Sequence, residues 1–237
     1  MSEYKRTVYL MECDYNGYWA PSTILRQTLD YILLDNKRDG CDQSVLKERL
    51  GAVWMISRMR IYQYSQIGEG DELVFRTFPR VIENGHYIMY VEIYRGEELV
   101  VRFDAVFIAV YAAERKIVPV EEMEPLWTVP PRKAESKALL RMNMDCDYRP
   151  GGVQTVRRSD CDSNRHLTSP GYLSLVCDEL GFWNEEKPMM AFMQVDYASE
   201  IMPGTEIRFE VGERDGAKLL RAYKADGKLS FSAMCRF

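Results

Sequence analysis

The chain has 237 residues, of which 46% are hydrophobic and 12% aromatic, and these proportions are typical of a globular protein with a substantial core. Its net charge of −5 disfavours a general nucleic-acid binder. No run of sequence has the apolar length of a membrane-spanning helix, and the first residues lack the apolar core of a signal peptide. We therefore expect a cytoplasmic protein that binds neither nucleic acid nor membrane. The cysteines are scattered without a C-x-x-C pair, so the spacing gives no support to a metal site.

The first half of the sequence predicts a helix followed by antiparallel strands. Residues 7–13 are rich in β-formers and predict a first strand. A helix is predicted next from apolar residues at helical spacing, namely Ile24, Leu25, Leu29, Ile32 and Leu33. Further strands are predicted from apolar or alternating runs between residues 53 and 112, with turn signals at residues 68–71 and 96–98.

A charged and proline-rich stretch separates the two halves of the sequence. Its prolines are Pro119, Pro125, Pro130, Pro131 and Pro150. We interpret residues 119–150 as a linker with a short helix over 134–140. The linker divides the chain into an N-terminal unit over residues 1–118 and a C-terminal unit over residues 151–237.

The C-terminal unit repeats the pattern of the first. A strand over residues 153–158 precedes a helix that is predicted to begin at Pro170 with Ser169 as its cap. Four more strands are predicted over residues 189–197, 205–211, 219–224 and 229–237. A helix with a curved antiparallel sheet, repeated twice, predicts an α+β protein built from two similar units side by side.

The repeat is clearest in two short segments. Residues 14–18 match residues 162–166 as Asp-x-Asn-x-Tyr against Asp-x-Asn-x-His, and residues 67–73 match residues 201–207. Only the second copy has a histidine. We therefore predict one working site, in the C-terminal unit, and an inactive copy in the N-terminal unit.

Asp162, Asn164 and His166 place an acid, an amide and an imidazole at alternate positions. In an extended segment this spacing would turn all three side chains to one side, next to the N-terminus of the following helix, where backbone N–H groups can stabilise an oxyanion. The alternative is a polar turn whose side chains cap the backbone. On spacing alone the turn is the favoured interpretation.

Two segments carry a resemblance to a known family. They are Arg158-Ser159-Asp160-Cys161-Asp162-Ser163-Asn164-Arg165-His166-Leu167-Thr168-Ser169 and Trp54-Met55-Ile56-Ser57-Arg58-Met59. The first resembles W-S-D-L-D-x-N-x-H-V-N-N, and the second resembles W-V-x-x-R-M. Both signatures belong to the acyl-acyl-carrier-protein (acyl-ACP) thioesterases, which end fatty-acid synthesis in plants and have bacterial relatives. With the repeat, the resemblance extends from about Tyr4 to Phe237.

The resemblance implies a double hot-dog fold and a thioester hydrolase of the oleoyl-ACP hydrolase type, without a cofactor or a metal. Such an enzyme releases free fatty acid and ACP and so ends chain elongation. The family's catalytic residues fall on Asp162, Asn164, His166 and Glu200. In many plant relatives a cysteine follows the glutamate, whereas Ile201 stands here, which favours hydrolysis by an activated water. Both Glu200 and His166 are candidates for the general base, and from the sequence we prefer Glu200.

The substrate that the resemblance implies needs an apolar slot for the acyl chain and a basic surface for ACP. The candidates for the slot are Leu25, Leu29 and Leu33 on the first helix and Trp54, Met55, Ile56 and Met59 on the strands, and Arg58 is a further candidate for substrate binding. The candidates for the basic surface are Arg157, Arg158 and Arg165 near the site, and Arg132, Lys133 and Lys137 in the linker. The alternatives are an ordinary core for the first set and a solvated charge run for the second.

Other functions are also compatible with this fold. An enoyl-thioester hydratase usually has D-x-N-P-x-H, which is one residue longer than the motif here and contains a proline that this motif lacks. A non-catalytic acyl-thioester sensor would have no need of the four polar residues. An acyl-CoA thioesterase could bind coenzyme A phosphates with the same arginines. The sequence leaves open the chain-length preference and whether the protein forms a homodimer.

Overall fold

The computed structural model of the chain describes residues 1–83, 85–128, 132–133, 141–184 and 189–237. Its strands are β1 (Ser2–Thr7), β2 (Ala52–Gln63), β3 (Glu72–Thr77), β4 (Val81–Glu83), β5 (His86–Arg95), β6 (Glu98–Tyr111), β7 (Arg132–Lys133), β8 (Tyr148–Thr155), β9 (Phe192–Tyr197), β10 (Glu206–Arg214), β11 (Ala217–Lys224) and β12 (Leu229–Arg236). Its α-helices are α1 (Pro21–Arg38), α2 (Gln43–Leu50), α3 (Val120–Met123) and α4 (Ser169–Leu180). The helix predicted over 134–140, which contains Lys137, lies outside the described residues.

One sheet runs through both units. Its main path has the order β1-β3-β5-β6-β2-β9-β12-β11-β10-β8, and all its neighbours are antiparallel. The two halves of this order mirror each other about the β2–β9 pair. Each unit also places one long helix, α1 or α4, after its first strand. The predicted α+β architecture of two similar units is therefore confirmed.

The core is continuous across the junction of the two units. Met59 and Ile61 on β2 lie opposite Val195 and Met193 on β9, and all four side chains are fully buried. Fully burying a side chain of this size contributes about 1.5–3 kcal/mol. The shared core therefore holds the two units in one arrangement, and this arrangement determines which loops can meet.

The helix α4 begins one residue earlier than the sequence predicted. The Thr168 hydroxyl accepts a hydrogen bond from the backbone N–H of Gly171 at 3.1 Å, so Thr168 rather than Ser169 is the cap. Pro170 occupies the first turn, where its missing N–H costs no helical bond. The helix ends at Leu180, and Gly181 caps it with a φ of 72°, a left-handed conformation that glycine adopts without strain.

Two other boundaries differ from the sequence-based prediction. The first strand, β1, precedes most of the predicted range 7–13, and Leu10–Glu12 forms a 3₁₀ turn instead. The composition of residues 7–13 is that of a β-strand, but Leu10 and Met11 are exposed to solvent. In the second unit, β8 begins at Tyr148 and so overlaps the end of the predicted linker.

No helix in the described part of the chain is both long enough and apolar enough to cross a membrane.

Candidate active site

The segment from Asp162 to His166 forms a tight loop rather than an extended strand. The Asp162 Oδ1 atom accepts hydrogen bonds from the backbone N–H groups of Asn164 at 2.8 Å and His166 at 3.2 Å. The Asp162 N–H donates to the carbonyl of His166 at 2.9 Å, which closes the loop. The expectation that alternate side chains lie on one side is therefore wrong, because the backbone turns between them. The turn interpretation is correct for Asp162, which caps this loop.

The first unit contains a second copy of this loop with the same hydrogen bonds. Asp14 Oδ1 accepts from the N–H groups of Asn16 at 2.8 Å and Tyr18 at 3.2 Å, and the Asp14 N–H donates to the Tyr18 carbonyl at 2.8 Å. Gly17 has a φ of 82°, and Arg165 holds the corresponding position of the second loop with a φ of 64°. The predicted repeat thus extends to the hydrogen bonds that the backbone makes in the two loops.

Each loop is tied to a later turn of its own unit. The Leu167 N–H donates to the Ile201 carbonyl at 2.8 Å, and the Trp19 N–H donates to the Ile67 carbonyl at 2.8 Å. Glu200 therefore stands beside the second loop, and Gln66 takes the corresponding place beside the first. The first loop therefore has neither the histidine nor the carboxylate at these positions.

His166 and Glu200 come together in the second unit. The His166 Nε2 atom lies 3.6 Å from Glu200 Oε2, and each side chain is 28% exposed. The Lys224 ammonium donates a hydrogen bond to the backbone carbonyl of Glu200 at 2.5 Å. An imidazole next to a carboxylate at the edge of solvent can accept and return a proton.

Arg115 is a site residue that the sequence did not reveal. Its guanidinium comes from the first unit and donates to both oxygens of Glu200, from Nη1 to Oε1 at 2.9 Å and from Nη2 to Oε2 at 3.0 Å. Together these hydrogen bonds lower the pKa of Glu200, while its partial burial opposes the change. No motif or spacing marks Arg115 in the sequence, and only its contact with Glu200 identifies it.

A groove of about 1050 Å³ lies next to the loop, between helices α1 and α4. Its walls include Leu29 and Leu33 from α1 and Leu175 from α4, and its end next to the loop includes Asp162 and the first turn of α4. The groove therefore leads from these leucines between the helices to the capping carboxylate and the N-terminus of α4, and most of its other lining residues are polar or charged. Leu29 and Leu33 are the predicted slot residues that line it.

Other predicted substrate-binding residues have contacts of their own. Leu25 and Met59 are fully buried in the core. The Trp54 Nε1 atom donates to the carbonyl of Cys41 at 2.7 Å, and Arg58 lies 3.9 Å from Asp196 across the β2–β9 junction. These contacts are typical of structural residues. A role of these four residues in substrate binding stays a prediction.

The predicted basic residues near the site lie on its surface. Arg157, Arg158 and Arg165 are all exposed, and none of them forms an ion pair with any residue that the structure describes. The corresponding positions around the first loop are Tyr9, Leu10 and Gly17. The three arginines near the loop that contains histidine therefore have no basic counterpart at the equivalent positions of its copy. Within the described ranges, no three His, Cys, Asp or Glu side chains are grouped as a metal site would require.

Two units, each a long helix packed against a curved antiparallel sheet and joined through β2 and β9, define a double hot-dog protein, as the resemblance implied. Residues 153–233 match the family model described as the acyl-ACP thioesterase C-terminal domain, which confirms the resemblance to that family. No curated protein sequence matches the chain.

Solved structures share the fold over the whole chain. An acyl-ACP thioesterase from Bacteroides thetaiotaomicron aligns with a TM-score of 0.84 at 15% identity, covering 100% of this chain and 97% of the other. The 12:0-ACP thioesterase from Umbellularia californica aligns with a TM-score of 0.77 at 14% identity, covering 99% of this chain and 96% of the other. At these identities the likeness is one of fold.

Proposed function

We propose that this protein hydrolyses the thioester of acyl-ACP, releasing a free fatty acid and ACP and so ending chain elongation. The observation that carries the proposal is the His166–Glu200 pair, which lies inside the unit that matches the thioesterase family model. The bacterial and plant structures that share the fold are themselves named as acyl-ACP thioesterases. In the groove next to the loop, the leucines of α1 and α4 offer apolar contacts to a fatty acyl chain. The cytoplasmic location stays a prediction from the sequence.

In the proposed reaction a water attacks the carbonyl carbon of the thioester. The water gives up a proton to a base as its oxygen bonds to carbon, and the carbonyl oxygen becomes an oxyanion. The oxyanion then collapses, the carbon–sulfur bond breaks, and the sulfur leaves with a proton returned by the protonated base. No covalent link to the protein is needed, in keeping with Ile201 at the position where relatives have a cysteine.

We assign the base to His166 and an orienting role to Glu200, which reverses the preference drawn from the sequence. Both oxygens of Glu200 accept from Arg115, and the lowered pKa of this carboxylate makes it a weaker proton acceptor. A carboxylate next to an imidazole instead stabilises the imidazolium that forms when His166 takes the proton. Glu200 therefore acts on the reaction through His166.

Asn164 is the candidate for holding the substrate carbonyl. Its side chain is exposed, and its amide nitrogen lies 3.4 Å from Asp162 Oδ2, the oxygen that does not cap the loop. An amide donor at this position can stabilise the oxyanion, together with the N-terminus of α4 at the end of the groove.

The direct test is hydrolysis of a panel of acyl-ACP thioesters of graded chain length, with the matching acyl-CoA esters alongside. We expect release of free fatty acid from acyl-ACP, with a preference for some lengths. Fatty acid should be measured by mass spectrometry, because the six cysteines of the chain would react with thiol reagents. Folded protein that releases fatty acid from no ester would overturn the proposal, and hydration of enoyl thioesters or binding without turnover would then be tested.

Recognition of ACP gives a second prediction. Replacing Arg157 and Arg158 together by glutamate is expected to raise KM for acyl-ACP about tenfold at low salt, because a basic surface steers an acidic partner. The kcat should change little, and the effect on KM should shrink as salt screens the charges. Arg49→Glu on α2 is a control, since Arg49 is also exposed but lies on another element. An unchanged KM in the double variant would show that these arginines do not bind the carrier.

A further inference from the structure

Arg115 lies in a turn whose backbone is fixed by hydrogen bonds. The turn follows β6 and leads back along it, so that Ile117 pairs with Val110. The Arg115 N–H donates to the carbonyl of Tyr111 at 2.9 Å, and the Tyr111 N–H donates to the carbonyl of Lys116 at 2.9 Å. The position from which the Arg115 side chain starts is therefore set by the first unit.

The backbone of Arg115 is in the left-handed region, with a φ of 57°. This conformation costs a residue with a side chain roughly 1–2 kcal/mol, and glycine would adopt it without that cost. The chain nevertheless has an arginine here, and its side chain reaches Glu200 in the second unit. The contact with Glu200 gives a physical reason for a long basic side chain at a strained position.

The contact is too exposed to matter much for stability. The Arg115 side chain is 58% exposed, and ion pairs at such positions contribute little to the free energy of unfolding. Its geometry, however, is bidentate, with each nitrogen on a different oxygen, which fixes the plane of the carboxylate. Lys224 fixes the backbone of the same residue. Together these contacts hold Glu200 with Oε2 toward His166.

We propose that Arg115 is a positioning residue, by which the N-terminal unit holds the Glu200 carboxylate against His166 and completes the site of the C-terminal unit. The inference rests on the proposed function, since it assigns Glu200 to the support of His166. It also gives the first unit a part in the reaction beyond binding the acyl chain.

The pH dependence that follows is set by the groups around Glu200. These are Arg115 from the first unit, His166 from the loop, Lys224 from β11 and Tyr172 from α4. Because the pKa of Glu200 is lowered, its ionised form persists to lower pH than usual and is lost as the pH falls through that pKa. Removing Arg115 should raise this pKa, so Glu200 should lose its charge at a higher pH in that variant.

The first experiment measures kcat and KM at neutral pH for the wild type, Arg115→Ala and Arg115→Lys. We expect Arg115→Ala to lower kcat about tenfold and to leave KM unchanged, because Arg115 acts on the reaction through Glu200 and not through the substrate. Arg115→Lys, which keeps the charge but not the bidentate contact, should restore only part of the rate. A wild-type kcat in Arg115→Ala would overturn the inference.

Two further variants separate this role from a general effect of charge. Lys116→Ala removes a positive charge from the same turn and should behave like the wild type, since the Lys116 side chain is exposed. In a Glu200→Gln background, Arg115→Ala should cause no further loss, because its effect passes through that carboxylate. Equal losses in both backgrounds would contradict the proposal.

A measurement without turnover distinguishes failure of this inference from failure of the proposed function. The chain has only two histidines, so the ring signals of His166 can be followed by NMR with those of His86 as an internal reference. Protonation of Glu200 should produce a step in the His166 signals at acidic pH, and Arg115→Ala should move that step upward. A step that does not move would overturn the inference even if the enzyme is active. A moved step in a protein that hydrolyses no ester would reject the proposed reaction alone.

Discussion

His166→Ala is expected to lower kcat for acyl-ACP hydrolysis about 100- to 10,000-fold while the protein stays folded. This range is what a positioned general base contributes to a rate. The imidazole is 28% exposed at the end of a loop that is held by backbone hydrogen bonds to Asp162, so its removal leaves no cavity in the core. The measurement is kcat on the best ester of the panel, with the unfolding midpoint in denaturant to confirm the fold.

The first loop supplies a matched control for this prediction. Tyr18 holds the position of His166 in that loop, so Tyr18→Phe should leave kcat unchanged. Asn164→Ala should lower kcat, because its amide is the proposed donor to the carbonyl, whereas Asn16→Ala should not. Retention of more than a tenth of wild-type kcat by His166→Ala would rule out its role as the base.

Asp162 gives the second large effect, and its cause is structural rather than chemical. Asp162→Ala removes the oxygen that accepts from the N–H groups of Asn164 and His166. Loss of these bonds should destabilise the protein by about 1 kcal/mol, at the lower end of the usual range because water can reach the loop. The kcat should fall at least about 100-fold, because His166 and Asn164 then lose their positions.

The Asp162→Asn variant tests whether Asp162 acts through its hydrogen-bond acceptor or through its negative charge. Asparagine keeps one carbonyl oxygen for the same two N–H groups, so we expect near wild-type stability and a loss of kcat below about tenfold. The matched variant Asp14→Ala should lose similar stability, since Asp14 makes the same bonds, and should keep its activity. If Asp162→Asn were as inactive as Asp162→Ala, the charge of Asp162 would be its main contribution and the capping role would be secondary.

Much of the site could be predicted from the sequence because it is local. The loop from Asp162 to His166 closes on itself within five residues, and the copy at residues 14–18 shows the same spacing. The repeat also predicted that the segments beginning at Ile67 and Ile201 are equivalent, and the carbonyl of each of these residues accepts a hydrogen bond from its own loop. The prediction of secondary structure failed where the composition of one segment is compatible with two different structures. Residues 7–13 include exposed apolar side chains, and the periodicity of the segment does not distinguish it from a buried strand.

The sequence by itself determined two repeated α+β units and one loop with a histidine, because spacing and composition act over a few residues. Only the tertiary structure decided how Glu200 is held. Arg115 is separated from it by 85 positions in the chain and belongs to the other unit. The two residues meet because β2 and β9 pair and the core is continuous across them. An ion pair of this kind depends on the arrangement of whole units, and neither residue carries a local pattern that encodes it.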